Sequence, residues 1–309
     1  MLPSDLVKRI RRIEITTRRA VEENLSGQYH SVFKGRGMDF SEVRAYAPGD
    51  EIRAIDWNVT ARMNQLFVKQ FVEERELTVM ILVDLSASTD FGSADKTKAE
   101  VAAEIAALLA FSAVANGDRA GLLLFTSEVE KFVPPRKGRK HALRIVTEIL
   151  QHTPRRRGTD LGAALEYLRR VIRRKSVAFV LSDFQDSSSS SRPRPGGALL
   201  DEPPFAQALR IATRKHDVVP VRLRDRLEDA LPPLGLTWVE DPESGRILRY
   251  DLRRPEVRER FAEAARGDSE RLSRLFARLR LDAVSVRADD VDYVKPLLAF
   301  FAARARRHA

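Results

Sequence analysis

The run Val79-Met80-Ile81-Leu82-Val83-Asp84-Leu85-Ser86-Ala87-Ser88-Thr89 sets an apolar stretch directly against one carboxylate and two hydroxyls at alternate positions. An Asp-x-Ser-x-Ser order offers one anionic and two neutral oxygens from a single loop. Oxygen-only ligation of this kind suits a hard divalent cation, Mg²⁺ in the first place, with Mn²⁺ or Ca²⁺ as alternatives. Two further segments carry matching chemistry. Arg157-Gly158-Thr159-Asp160-Leu161-Gly162 reads as a turn that opens a helix, and Val177-Ala178-Phe179-Val180-Leu181-Ser182-Asp183 is a second buried-strand pattern ending in a carboxylate. In an open parallel sheet, the loops beyond the C-terminal strand ends converge on one crevice. Asp84, Ser86, Ser88, Thr159 and Asp183 are therefore expected to meet around one ion, although they lie far apart in the chain.

Each of these residues also has a plainer role. Asp84 can cap a turn at a strand end, Ser86 and Ser88 can satisfy loop backbone groups, Thr159 or Asp160 can be a helix N-cap, and Asp183 can start a loop. It is their joint occurrence that favours an ion site. Asp90 and Asp160 flank the set and are candidates for orienting a water or a partner's hydroxyl. The five positions resemble the metal-ion-dependent adhesion site of von Willebrand factor type A domains, which combines Asp-x-Ser-x-Ser with a distant Thr and a distant Asp. The resemblance implies direct ligation by the hydroxyls of Ser86, Ser88 and Thr159, with Asp84 and Asp183 ligating directly or through water. It also implies recognition of a partner's Asp or Glu, whose carboxylate completes the coordination shell.

The elements that must position these residues follow from periodicity. Strands near 79–83, 119–126, 177–181, 217–222 and 283–287 alternate with helices over about 96–116, 138–151, 161–174, 205–215, 255–280 and 291–307, which argues for a parallel α/β sheet. The expected fold is a Rossmann-like, von Willebrand factor A-type, doubly wound and mainly parallel sheet with a small N-terminal β-rich unit. Residues 1–26 read as a basic amphipathic helix, with Leu6, Ile10, Ile13 and Val21 as its apolar stripe. Docking on the protein body is favoured over a membrane-surface role. Residues 27–76 read as a β-rich accessory unit, and 77–309 as the main domain with a flexible Ser/Pro/Gly-rich insertion at 186–204. Segments 236–239 and 246–250 read as a hairpin.

Composition excludes several function classes. With no cysteine among 309 residues, disulfides, thiolate zinc sites and cysteine nucleophiles are ruled out. No uninterrupted apolar run reaches the ~18 residues of a membrane span, and no signal-peptide centre stands at the N-terminus, so a cytoplasmic protein is expected. A net charge of +10 opens an alternative as a binder of anionic surfaces or nucleic acid, including peripheral contact with the inner membrane. The basic residues are mostly arginines interleaved with acids, which reads better as solvated helix faces. A metal between carboxylates can also activate water for hydrolysis. However, there is no phosphate-cradling Gly-x-x-x-x-Gly-Lys loop, no Gly-x-Ser-x-Gly elbow and no His-Glu-x-x-His pair, and the five histidines are isolated. The expectation is therefore a binding protein, not an enzyme.

The N-terminal unit carries a second motif. Gly37-Met38-Asp39-Phe40-Ser41-Glu42-Val43-Arg44-Ala45-Tyr46-Ala47-Pro48-Gly49-Asp50 leads into Arg53-Ala54-Ile55-Asp56-Trp57 and Ala61-Arg62. This is similar to the signature of bacterial "domain of unknown function" family fifty-eight. Members of that family have von Willebrand-like domains and accompany MoxR-type AAA+ ATPases, and its short form without membrane helices is the better match. The resemblance continues through Leu231-Pro232-Pro233-Leu234-Gly235 and Asp292-Tyr293-Val294. It implies a metal-dependent adaptor working beside a MoxR-type ATPase in chaperone-like assembly or maturation. Within the unit, Phe40, Tyr46, Ile52, Ile55 and Trp57 are expected to form a core, and Asp50, Arg53, Asp56 and Arg62 to pair within it. The alternative is that Arg53, Asp56, Trp57 and Arg62 belong to a partner-docking surface.

Overall fold

The computed structural model describes residues 8, 10–15, 17, 39–63, 65–72, 76–185, 202–240, 245–290 and 292–308. Backbone proximity divides the chain into residues 33–77 and a larger body of residues 1–32 and 78–309.

In the smaller unit, strand β1 (Asp39–Ala45) pairs antiparallel with β2 (Phe67–Val72), and helix α1 (Trp57–Met63) falls between them in the chain. The turn after β1 needs Gly49 at φ +109°, where a side chain would be strained. Arg44 donates to both oxygens of Asp50 at 2.6 and 2.7 Å, and this pairing pulls the Asp50 carboxyl down to about 2. Asp56 accepts from the amides of Asn58 and Val59 at 3.0 and 3.2 Å and so starts α1. The expected core is only partly formed. Ile55 is buried and Tyr46 half-buried, whereas Ile52 and Trp57 are 68% and 63% exposed. The side chain of Phe40 lies outside the described residues. The expected charge pairing within the unit is met at Asp50. Asp50 takes Arg44, Asp56 takes helix amides, and neither Arg53 nor Arg62 makes an ion pair among the described residues. A two-stranded ribbon with one short helix lacks the bulk to cover every apolar side chain it carries.

The larger body is built on strands β3 (Thr78–Asp84), β4 (Arg119–Phe125), β5 (Val129–Arg136), β6 (Val177–Ser182) and β7 (Asp217–Arg224), the hairpin β8 (Leu236–Glu240) and β9 (Ile247–Asp251), and β10 (Val284–Arg287). Its helices are α2 (Lys98–Ala115), α3 (Arg139–Gln151), α4 (Leu161–Val171), α5 (Ala206–Thr213), α6 (Arg226–Asp229), α7 (Pro255–Arg278) and α8 (Lys295–His308). Six strands form one sheet in the order β10-β7-β6-β3-β4-β5, parallel throughout except for β5. This is a doubly wound sheet whose order reverses between β3 and β6. The antiparallel β5 is not signalled by periodicity. Pro134 and Pro135 donate no backbone hydrogen bond, which confines such a strand to an edge, and β5 lies at one.

Both faces of the sheet are covered, so its strands read as continuous apolar runs. Met80, Leu82, Phe125 and Val180 pack with Leu165 of α4, Leu209 of α5 and Leu275 of α7. The alternate side of β6 turns Phe179 onto Phe301 of α8, with ring centroids 6.3 Å apart. Helix α2 begins in a capping box of Thr97 and Glu100 and is buried along most of its length. Residues 10–15 are helical. Ile13 is buried, and Glu14 accepts from Arg139 Nε at 2.9 Å. Leu6 and Val21 of the expected stripe, and residues 186–201 of the expected insertion, lie outside the described residues. Among the described residues no helix is long and apolar enough to cross a membrane.

Candidate metal centre

The order reversal between β3 and β6 is where an open α/β sheet leaves a crevice beyond its strand ends. Asp84 is the last residue of β3, and Ser182 ends β6 with Asp183 next to it. Val79–Val83 and Val177–Leu181 are apolar and buried, and the chain turns polar where these runs leave the sheet.

Asp84 is fully buried. Its Oδ1 accepts from the Ser86 amide at 2.9 Å and its Oδ2 from Ser182 Oγ at 2.6 Å. Burial, with the negative charge of Asp183 added, pushes the Asp84 carboxyl up to about 7 against these hydrogen bonds. Ser86 Oγ and Ser88 Oγ are hydrogen-bonded to each other at 3.0 Å, both shielded from solvent. Thr89 Oγ1 donates to the Ser86 carbonyl at 2.7 Å and tightens the short 3₁₀ turn Ala87–Asp90.

Thr159 is fully buried in the segment that precedes α4. That segment is fastened to the Asp84 loop, because the Ala87 amide donates to the Arg157 carbonyl at 2.8 Å. It is fastened to β4 as well, through the Asp160 amide and the Thr126 carbonyl at 2.9 Å. Asp160 is the N-cap of α4, accepting from Ala163 N at 2.8 Å. Glu130 organises the rest of the segment. Its carboxylate accepts from Thr126 Oγ1 at 2.7 Å, His152 Nε2 at 2.6 Å and the amides of Arg155 and Arg156. Although burial pushes Glu130 upward, these bonds hold it below its ordinary value.

Asp183 is almost wholly buried. Its Oδ1 accepts from Gln185 N at 3.0 Å and its Oδ2 from Lys98 Nζ at 2.8 Å. Lys98, the first residue of α2, has no solvent exposure, and its ammonium also donates to Glu228 of α6. Burial works against the Lys98 charge, but Asp183 and Glu228 outweigh it and hold the ammonium protonated. Burial raises Glu228, partly offset by Lys98. After Asp183 the backbone enters the left-handed region at Phe184, φ +61°, which is costly for a bulky residue. The ring is held there by edge packing on Phe276 at 5.3 Å and by Phe205 at 5.9 Å.

The structure thus brings Asp84, Ser86 and Ser88 together, joins Asp84 to the end of β6 where Asp183 sits, and ties the Thr159 segment to the same loop. Among the described residues no three His, Cys, Asp or Glu side chains gather to hold a metal by themselves, so any ion here would need hydroxyl oxygens as well. The donor set fits Mg²⁺ in two ways. Adjacent ligands of an octahedral ion with bonds near 2.1 Å lie about 3.0 Å apart, which is the separation of the two serine oxygens. The Asp84 and Asp183 carboxyls, both buried, lie within electrostatic reach of each other, a repulsion that a bound cation would relieve.

Asp90 is exposed at the end of its turn, and Asp160 is committed to capping. Arg53, Asp56, Trp57 and Arg62 belong to the separate smaller unit. The sequence reading missed Lys98, Glu228, Glu130 and Phe184. Lys98 stands at a helix start, where a lysine ordinarily reaches water, and no periodic signal marks it as buried. Ser182 stands in the strand-end motif, where its residue type alone does not signal the bond to Asp84.

Residues 42–271 match the family described as "Protein of unknown function DUF58". The chain belongs to that family. Uncharacterized proteins Rv1480 of Mycobacterium tuberculosis and Mb1516 of Mycobacterium bovis are each 32% identical over 304 residues, covering 97% of this DUF58 chain and 90% of theirs. Among solved structures, BatB from Bacteroides thetaiotaomicron is 14% identical with a TM-score of 0.43, covering 74% of this chain and 99% of its own. The SpRpn10 VWA domain is 13% identical with a TM-score of 0.31, covering 48% and 76%.

Proposed function

We propose that this DUF58 protein is a metal-ion-dependent protein-interaction module that binds an acidic side chain of a partner. The observation that carries the reading is the buried Ser86–Ser88 oxygen pair, 3.0 Å apart, on the loop whose Asp84 side chain is held by the Ser86 amide and by Ser182 at the end of the neighbouring strand. Ser86, Ser88 and Thr159 would hold the ion through hydroxyl oxygens, and Asp84 and Asp183 through carboxylates. When bound, Mg²⁺ or a similar ion supplies a Lewis-acid position that an Asp or Glu of the partner completes. Ser182 and the Ser86 amide hold Asp84 in place, and the Ala87–Arg157 hydrogen bond holds the Thr159 segment against it.

Binding is favoured over catalysis because, among the described residues, three histidines are already hydrogen-bonded elsewhere. His141, His152 and His216 are engaged with the Ala120 carbonyl, Glu130 and Ser176. The family resemblance in the sequence supports a MoxR-type AAA+ ATPase as partner, with the chain serving as a cytoplasmic adaptor in chaperone-like assembly or maturation. The test is capture from lysate on the immobilised full chain, with Mg²⁺ or EDTA and at two salt concentrations. The reading expects an AAA+ ATPase retained only with Mg²⁺. Retention that ignores EDTA and falls steeply with salt would mark a phosphate-backbone binder instead.

A further inference from the structure

Lys98 is a charged group that this proposed function does not use. A lysine at a helix start ordinarily extends into water, because burying an ammonium is costly unless it is paired. Here the side chain is turned fully inward, between Asp183 Oδ2 at 2.8 Å and Glu228. Glu228 is itself fixed, since its Oε2 accepts from Asp225 N at 3.0 Å. Asp225 is fully buried and accepts from Ser93 N at 2.8 Å, which ties the loop between β3 and α2 to the start of α6. The ammonium therefore sits between Asp183 and Glu228, where it balances part of the carboxylate charge.

We infer that Lys98 is a tethered internal cation that sets how strongly the centre holds a divalent ion, with Glu228 opposing it. The inference rests on the metal-site reading above. A fixed positive charge a few ångströms from a bound dication repels it, and a fixed negative charge attracts it. Removing the ammonium therefore tightens metal binding, and removing the Glu228 charge loosens it. A purely structural role predicts something else: either change would disturb the packing and loosen the site.

The experiment is calorimetric titration of the full chain with MgCl₂, comparing the unaltered protein, Lys98→Met and Glu228→Gln, with Mg²⁺-induced shifts of the melting temperature as a second readout. Lys98→Met is expected to bind Mg²⁺ at least about tenfold more tightly, and to show a larger melting shift on adding Mg²⁺. Glu228→Gln is expected to bind several-fold more weakly. Folding of Lys98→Met only when Mg²⁺ is present would also support the inference. If that variant does not fold at all, Lys98→Gln, which keeps a hydrogen-bond donor without the charge, decides the matter: tighter binding supports the role, and equal or weaker binding overturns it. Equal or weaker binding by a folded Lys98→Met overturns it directly. Binding by the unaltered protein without the opposite signs removes the Lys98 role alone. Absence of binding in all three proteins removes the metal reading and this inference together.

Discussion

Ser182 Oγ donates to Asp84 Oδ2 at 2.6 Å, joining the ends of the two strands between which the sheet order reverses. The same hydroxyl accepts from the Phe184 amide at 2.9 Å, in the turn where φ is positive. One small side chain thus fixes a candidate ligand and the start of the next loop. Ser182→Ala leaves a buried carboxylate oxygen and a buried amide short of a partner. The expected cost is about 1–3 kcal/mol, read as a lower urea midpoint with an unchanged slope. An unchanged midpoint would mean that the bond contributes nothing.

Glu130 holds the Thr159 segment through four donors, counting Thr126, His152 and the Arg155 and Arg156 amides. Glu130→Gln keeps the shape but replaces one accepting oxygen with a donor. Stability should fall by about 1–3 kcal/mol, and Mg²⁺ affinity should fall with it because Thr159 loses its fixed position. Thermal melts and calorimetry check the two effects separately. A loss of stability with unchanged affinity would detach Glu130 from the site.

His216 is buried, with Nδ1 bonded to Ser176 Oγ at 2.8 Å, and burial with Lys215 nearby pushes it down to about 4. Its folded value lies below the ordinary 6.5, so the neutral form is favoured in the fold. The stability this gives is complete above about pH 6.5 and is lost progressively as pH falls toward and through about 4. His216→Asn should flatten the stability profile across that window relative to the unaltered protein. Parallel acid-unfolding curves would contradict the assignment.

Trp57 stands 63% exposed on α1. Trp57→Ala should therefore change folding stability by no more than about 0.5 kcal/mol. A large drop in melting temperature would return this tryptophan to the core role that its sequence context suggests.

The parts of the fold legible in the sequence are those with a local signal. Val79–Val83 and Val177–Leu181 are apolar runs too short for helices, each ending in polar residues, and a parallel sheet buried on both faces demands that pattern. The Asp84 loop and the Thr159 turn were visible for the same reason, as oxygen-bearing residues at element ends. What stayed hidden depends on contacts distant in sequence. Lys98 meets Asp183 and Glu228 across 85 and 130 positions, and nothing near Lys98 announces either. The positive φ of Phe184 is sustained by Phe205 and Phe276, so its local sequence argues against it. In the smaller unit the cluster of Ile52, Ile55 and Trp57 suggested a core, but a two-stranded ribbon cannot bury all three.

The most direct test of the central claim is titration of the full chain with Mg²⁺, and separately with Mn²⁺, followed by heat, beside an Asp84→Ala variant whose folding is verified by circular dichroism. The account predicts saturable binding of one ion per chain in the unaltered protein and none in the variant. Identical heats from the two proteins would contradict it.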